Sequence, residues 1–167
     1  MRNLDFDKIY EQQFQKLYQY IRYMVSNAEL AEDLTQETFL KFYKAKFRHE
    51  ASAVTFIRQI ARNLVYDHYR KKGLIEWLPF TKSHEKQEIT YVPHDWIIQE
   101  EDRQTIYEAL HQLKPMQREV LIYRKIEELS IKETCEIMGI SDMKLVNTQR
   151  SAMKALQSIL GGDIDEY

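Results

Sequence analysis

Leu113-Lys-Pro-Met-Gln-Arg-Glu-Val-Leu-Ile-Tyr-Arg124, followed by Leu129-Ser-Ile-Lys-Glu-Thr-Cys-Glu-Ile-Met-Gly-Ile-Ser-Asp142, spells a helix, a short break and a helix-turn-helix. Ser130 stands three residues before Glu133, the spacing of a capping box in which each side chain satisfies a free amide at a helix start. Ile131 and Ile137 then fall on an inward face, and Cys135 is small enough for a second helix to cross close by. Gly139 ends the first helix, where a left-handed backbone suits glycine. Ser141 is the N-cap expected for the next helix, and Leu145 its first buried anchor. A small residue, a four-residue step to glycine and an apolar anchor six further on build a helix-turn-helix, a unit that presents its second helix to a DNA major groove.

The rest of the chain reads as helices too. Phe6, Ile9, Tyr10, Phe14, Leu17, Ile21 and Met24 repeat at helical spacing over residues 5–26. A second amphipathic helix is expected over 28–46 behind Asn27, with Leu30, Leu34, Phe39, Phe42 and Tyr43 on its apolar side. Its acidic start and basic end match the helix macrodipole. A loop over 47–53 leads to a third helix from Ser52 to Lys72. Residues 73–98 lose the periodicity and carry Trp77, Leu78, Phe80 and Trp96, so they form a linker whose apolar residues need cover. Two helices follow over 99–125, broken near Lys114-Pro115, with proline at a first-turn position. The fold class is all-α: two small helical domains, 1–73 and 99–160, joined by a linker over 74–98 and ending in an acidic tail over 161–167.

Composition removes several function classes. Only 4 Gly and 3 Pro in 167 residues argue against a turn-rich β fold, and one Cys leaves no internal disulfide framework. No apolar run reaches the roughly 20 residues of a membrane span, and the N-terminal residues carry no apolar signal core, so a cytoplasmic protein without membrane insertion is expected. The five His show no metal-ligand spacing, and neither a glycine-rich phosphate loop nor a serine nucleophile motif is present. No enzyme, cofactor or metal is expected. The net charge of −2 hides an asymmetry: residues 1–72 hold 13 Lys and Arg against 9 Asp and Glu, whereas residues 73–167 hold 11 against 17. DNA-binding surfaces are usually basic because phosphate contacts release counterions. An acidic half that carries the helix-turn-helix implies weak DNA binding alone and a partner that supplies affinity.

Three segments then make a more specific match. Ala31-Glu-Asp-Leu-Thr-Gln-Glu-Thr-Phe39 resembles the polymerase-binding helix of the extracytoplasmic-function group of bacterial sigma factors, in the sigma-70 family. Ile60-Ala-Arg-Asn-Leu-Val-Tyr-Asp-His-Tyr-Arg-Lys-Lys72 resembles that family's −10 promoter helix. Residues 109–121 and 129–141 resemble its C-terminal domain. The resemblance implies sigma region 2 over 1–73, for core binding and −10 recognition and melting, and sigma region 4 over 99–160, for −35 recognition. The implied function is an alternative sigma factor that binds core RNA polymerase and directs promoter-specific initiation, with promoter DNA as second partner. An anti-sigma factor, often membrane-bound in the family, is the third.

Residue by residue, Asp33, Gln36 and Glu37 share one helix face at i, i+3 and i+4 and would meet a basic surface of polymerase, with Leu34 and Phe39 in the same motif. On the third helix, Arg58, Arg62, Asn63, Tyr66, Asp67, Tyr69, Arg70, Lys71 and Lys72 combine phosphate-binding charge, base-reading amide and stacking aromatics, which suits strands being separated. Asp67 is expected to pair with a neighbouring Arg. Phe56 stands where the family usually has Trp. On the recognition helix, over about 142–158, Lys144, Asn147, Thr148, Arg150, Ser151 and Lys154 are the candidates for the −35 element; Asn can pair with adenine and Arg with guanine. Val146, Thr148, Ser151 and Met153 occupy positions that are commonly basic in the family, so phosphate anchoring is reduced. Two rival readings remain: a helix-turn-helix regulator that binds DNA without polymerase, and a sigma-like interaction subunit that reads DNA weakly or not at all.

Overall fold

The computed structural model describes residues 2–45, 52–72 and 100–161. The expected loop at 47–53 lies largely outside those residues, and the linker aromatics Trp77, Leu78, Phe80 and Trp96 and the end of the tail lie wholly outside them. Helices α1 (Arg2–Met24), α2 (Ala28–Lys44) and α3 (Ala53–Lys72) come first. Then follow α4 (Glu100–Leu110), α5 (Pro115–Leu121), a π-helical turn over Ile122–Ile126, α6 (Ile131–Met138) and α7 (Asp142–Ile159).

Local chemistry sets these boundaries. The Asn27 side chain accepts from the Leu30 amide at 2.7 Å and starts α2. Thr35 and Thr38, both buried, return their hydroxyls to the carbonyls of Ala31 and Leu34, so no polar group is stranded in the α2 interior. Ser130 and Glu133 form the capping box at 3.0 and 2.9 Å. Gly139 takes φ +69°, and the Ser141 hydroxyl accepts from the Lys144 amide at 3.1 Å.

In the first domain, Leu17, Ile21, Met24, Phe39, Ile57, Ala61 and Val65 are buried where α1, α2 and α3 meet. An aromatic cluster closes the far end: Phe6 stacks on Phe42, and Tyr10 and Phe14 flank Phe39 at 4.7 and 5.8 Å between ring centres. Tyr43, expected on the apolar side of α2, is 56% exposed. It lies at the edge of the cluster, where the Phe6 ring meets it edge-on at 5.1 Å between ring centres. In the second domain, Leu110, Leu113, Val120, Leu121, Ile137, Leu145 and Ala152 form the core beneath α7. Leu145 and Ala152 are fully buried and make the spine that seats α7.

The break after α5 is not a loop. The Glu127 amide bonds to the Ile122 carbonyl at 2.9 Å, an i to i+5 link that widens the helix by one residue. Glu128 then takes φ +60° and turns the chain toward α6.

The two domains pack directly on one another. Tyr20 and Tyr123 are both buried and stack at 5.2 Å across the seam, only 9° from parallel.

Candidate nucleic-acid interface

Three surfaces carry the residues singled out in the sequence. On α2, Asp33, Gln36 and Glu37 are exposed and point outward together, with Leu40 beside them at 53% exposure. Leu34 and Phe39 are buried beneath this face and serve the three-helix core. The result is an acidic surface with an apolar margin.

On α7, Lys144, Asn147, Arg150, Ser151 and Lys154 are exposed and Thr148 is partly covered. They surround the side opposite the Leu145–Ala152 spine. Arg150 donates to the side-chain oxygen of Asn147 at 3.2 Å, which holds the two side chains against each other. The Ser151 hydroxyl accepts from Gln117 of α5 at 2.9 Å. Met143, not selected from the sequence, is 73% exposed at the start of this helix. It neighbours Lys144 in the first turn of α7 and so shares this exposed surface. Its apolar character in an exposed helix start was the available signal.

On α3 the candidates divide by face. Asn63, Arg70 and Lys71 are exposed, and Asp67 pairs with Arg70 as expected. Arg58, Arg62, Tyr66 and Tyr69 instead face the second domain. Arg58, 3% exposed, pairs with Glu127 at 2.6 Å. Arg62 donates its Nε–H to Glu119 at 2.7 Å, Tyr66 donates to the other oxygen of the same carboxylate at 2.6 Å, and Tyr20 donates at 3.1 Å. Glu119 is fully buried. Burial pushes its carboxyl above the usual carboxylate range, while Arg62 and the two hydroxyls pull the other way. The same burial, with the Glu119 charge nearby, drives the Tyr66 and Tyr20 hydroxyls upward, so both stay protonated donors.

Arg118, next in sequence, completes the seam. It is 2% exposed and fans out to four acceptors. It donates to Leu110 and Leu113 carbonyls at 2.9 and 3.1 Å, and to the Met24 carbonyl at 2.7 Å. Its fourth partner is the Tyr69 hydroxyl, which itself donates to Met24. One guanidinium therefore caps the ends of α4 and α1, from both domains at once. Gln59 adds a bond to the Glu136 carbonyl at 2.9 Å.

Residues 9–75 match the Sigma-70 region 2 family and residues 103–147 match Sigma-70, region 4. The ECF RNA polymerase sigma factor SigX of Bacillus subtilis (strain 168) is 30% identical over 162 residues, covering 91% of this chain and 81% of that one. The chain belongs to the ECF group of RNA polymerase sigma factors. The RNA polymerase sigma factor YlaC of the same organism is 29% identical, over 90% of this chain and 89% of its own. Among solved structures, the sigma factor RpoE from Bartonella quintana, in complex with the anti-sigma factor NepR, shares the fold with a TM-score of 0.73 at 23% identity, covering 95% of this chain and 98% of that chain.

Sigma factors bind core polymerase and promoter DNA and make no bonds themselves, so this ECF sigma factor is not an enzyme. Among the described residues no helix is long and apolar enough to cross a membrane, and no group of His, Cys, Asp or Glu is arranged to hold a metal ion. Cys135 sits 3.4 Å from Asp142, where its thiol is held protonated by burial and that carboxylate.

Proposed function

We propose that this ECF sigma factor works in the cytoplasm as an alternative promoter-specificity subunit with its tasks divided among three helices. Domain 1–73 is region 2, domain 99–160 is region 4, and residues 74–98 connect them. The outward face of α2, with Asp33, Gln36 and Glu37, grips a basic surface of core polymerase. Leu34 and Phe39 hold that face in place from beneath. Helix α3 handles the −10 element: Arg58, Arg62, Arg70 and Lys71 take phosphates, Asn63 reads a base edge, and Tyr66 and Tyr69 offer rings to unstacked bases. Asp67 orients Arg70. Helix α7 reads the −35 element through Lys144, Asn147, Thr148, Arg150, Ser151 and Lys154. An anti-sigma factor is the regulator this assignment implies, by likeness to the RpoE–NepR pair.

The observation that carries the reading is the free face of α7. A helix seated on a fully buried spine leaves Asn147, Arg150 and Lys154 outward on an otherwise well-packed domain. Such a face has no structural task, and its residue types read bases and bind phosphate.

Core RNA polymerase, the purified protein and fragmented genomic DNA, followed by sequencing of transcript starts, tests it. Initiation at a few sites sharing a two-part upstream motif is expected. Failure to bind core polymerase would overturn the assignment in favour of a free-standing regulator.

The Asn147–Arg150 bond and the few basic positions on α7 favour one second reading, an interaction subunit that does not read the −35 element. Asn147→Ala with Arg150→Ala separates the two. The promoter set shifts if α7 reads DNA and stays unchanged if it does not.

A further inference from the structure

The outward face of α7 is polar over only part of its length. Its first two turns present Met143, 73% exposed, and Val146, 37% exposed, about one helical turn apart. Both stand out from the core, whereas Met153, Ala155, Leu156 and Ile159 of the same helix pack against it. Ser141 and Leu145 already cap and anchor this end of the helix, so the two apolar side chains have no structural task there. Asn147 and Arg150 continue the same stripe, four residues on from Met143 and from Val146, and Lys144 and Lys154 flank it. Cationic side chains around the stripe suit a polyanion as its occupant.

A recognition helix meets base edges with its N-terminal residues, and in the major groove those edges carry one apolar group, the C5 methyl of thymine. We propose that Met143 and Val146 make this sigma factor select thymine in its −35 element by contact with C5 methyl groups, beside the bases that Asn147 and Arg150 read. The inference rests on the assignment of α7 to −35 DNA and adds to it the class of base read by the first two turns. Three residues of helix rise about 4.5 Å, against about 3.4 Å between base pairs, so the expected targets are thymines one base step apart, on either strand. Val146 stands where the family commonly carries a basic residue. Valine exchanges a phosphate or guanine contact for a methyl contact, so preference for a base replaces attraction to the backbone at that position.

Met143→Gln and Val146→Ala test this at exposed positions outside the core. Holoenzyme is assembled from core RNA polymerase and the full chain and bound to promoter DNA from a mapped start site. Each thymine of the −35 element, on both strands, is replaced singly by uracil, which keeps every hydrogen-bonding group and removes only the methyl. Binding should weaken about four-fold at each of two neighbouring thymines. Met143→Gln should erase the effect at one of them and Val146→Ala at the other, with assembly onto core polymerase unchanged.

A −35 element without thymine, or uracil replacements that leave binding unchanged, overturns the proposal. So does a uracil effect that persists undiminished in both variants. Weaker assembly of the variants onto core polymerase overturns it as well, because the apolar pair would then belong to a protein contact. A scrambled −35 sequence separates the inference from its basis. If scrambling weakens binding and uracil does not, α7 reads DNA without the methyl contacts and only the inference falls. If scrambling changes nothing, the assignment of α7 falls and the inference with it.

Discussion

Arg118→Ala should destabilise the chain far more than an ordinary surface arginine would. The side chain is almost wholly buried, and its partners are three main-chain carbonyls and one hydroxyl, with no carboxylate among them. Hydrogen bonds from a charged donor are worth about 1.5–3 kcal/mol each, and an abandoned buried carbonyl costs a similar amount. All three carbonyls lose a charged donor together, although Met24 keeps the Tyr69 hydroxyl and Leu110 keeps the Leu113 amide. Water entering the vacated space recovers part of this, which sets the net loss at about 3–4 kcal/mol. For domains of this size that corresponds to a fall in Tm of roughly 12 °C or more. Urea unfolding of the full chain followed by circular dichroism measures the loss directly. Arg118→Met separates packing from hydrogen bonding, because it keeps the stem and keeps water out. It should be no more stable than Arg118→Ala. A loss below about 1 kcal/mol for either variant would mean that Arg118 does not cap α1 and α4 in solution.

Other consequences can be measured as readily. Leu145→Ala removes the fully buried anchor of α7 and should cost about 2–5 kcal/mol; thermal unfolding checks it, and a loss under 1 kcal/mol would deny the spine. If Met143 touches a thymine methyl in the −35 element, replacing that thymine by uracil should weaken holoenzyme binding by about 0.8 kcal/mol, roughly four-fold, and Met143→Gln should abolish the difference. An equal uracil effect in the variant would place Met143 elsewhere. The raised Glu119 carboxyl gives a pH signature: between its ordinary 4.5 and its folded value, the native state binds more protons than the unfolded chain. Its contribution to stability therefore falls as pH rises through that window, by at most about 1.4 kcal/mol per unit. Urea midpoints of the parent and of Glu119→Gln, compared across pH, should converge on the acid side. The opposite slope would refute the assignment.

The helices of this chain were legible because their determinants are local. Ser130 with Glu133, Gly139 and Ser141 lie within a dozen residues of one another, and each acts on backbone a turn away. The same locality exposed the acidic face of α2 and the Asp67–Arg70 pair. What escaped was long-range. Glu119 reads in sequence as one more polar residue in a short helix, yet its partners lie 53, 57 and 99 positions away. Nothing in the spacing of Arg58, Arg62 and Tyr66 separates a face that waits for phosphate from one that meets carboxylate. Both need the same residue types. Tyr43 illustrates a smaller limit: helical periodicity places it near the apolar side, but the cluster ends at Phe6 and leaves the ring outside.

The π-helical turn at Ile122–Ile126 carries an evolutionary consequence. Removing one residue there would close the turn to ordinary α geometry, and Glu127 would then follow Ile122 by four residues and keep its place above it. Its pair with Arg58 would survive the change. A single-codon deletion is thus absorbed within one turn, while the outward faces of α2 and α7 stay as they are. Lineages can therefore differ by one residue at this turn and still keep the two domains packed.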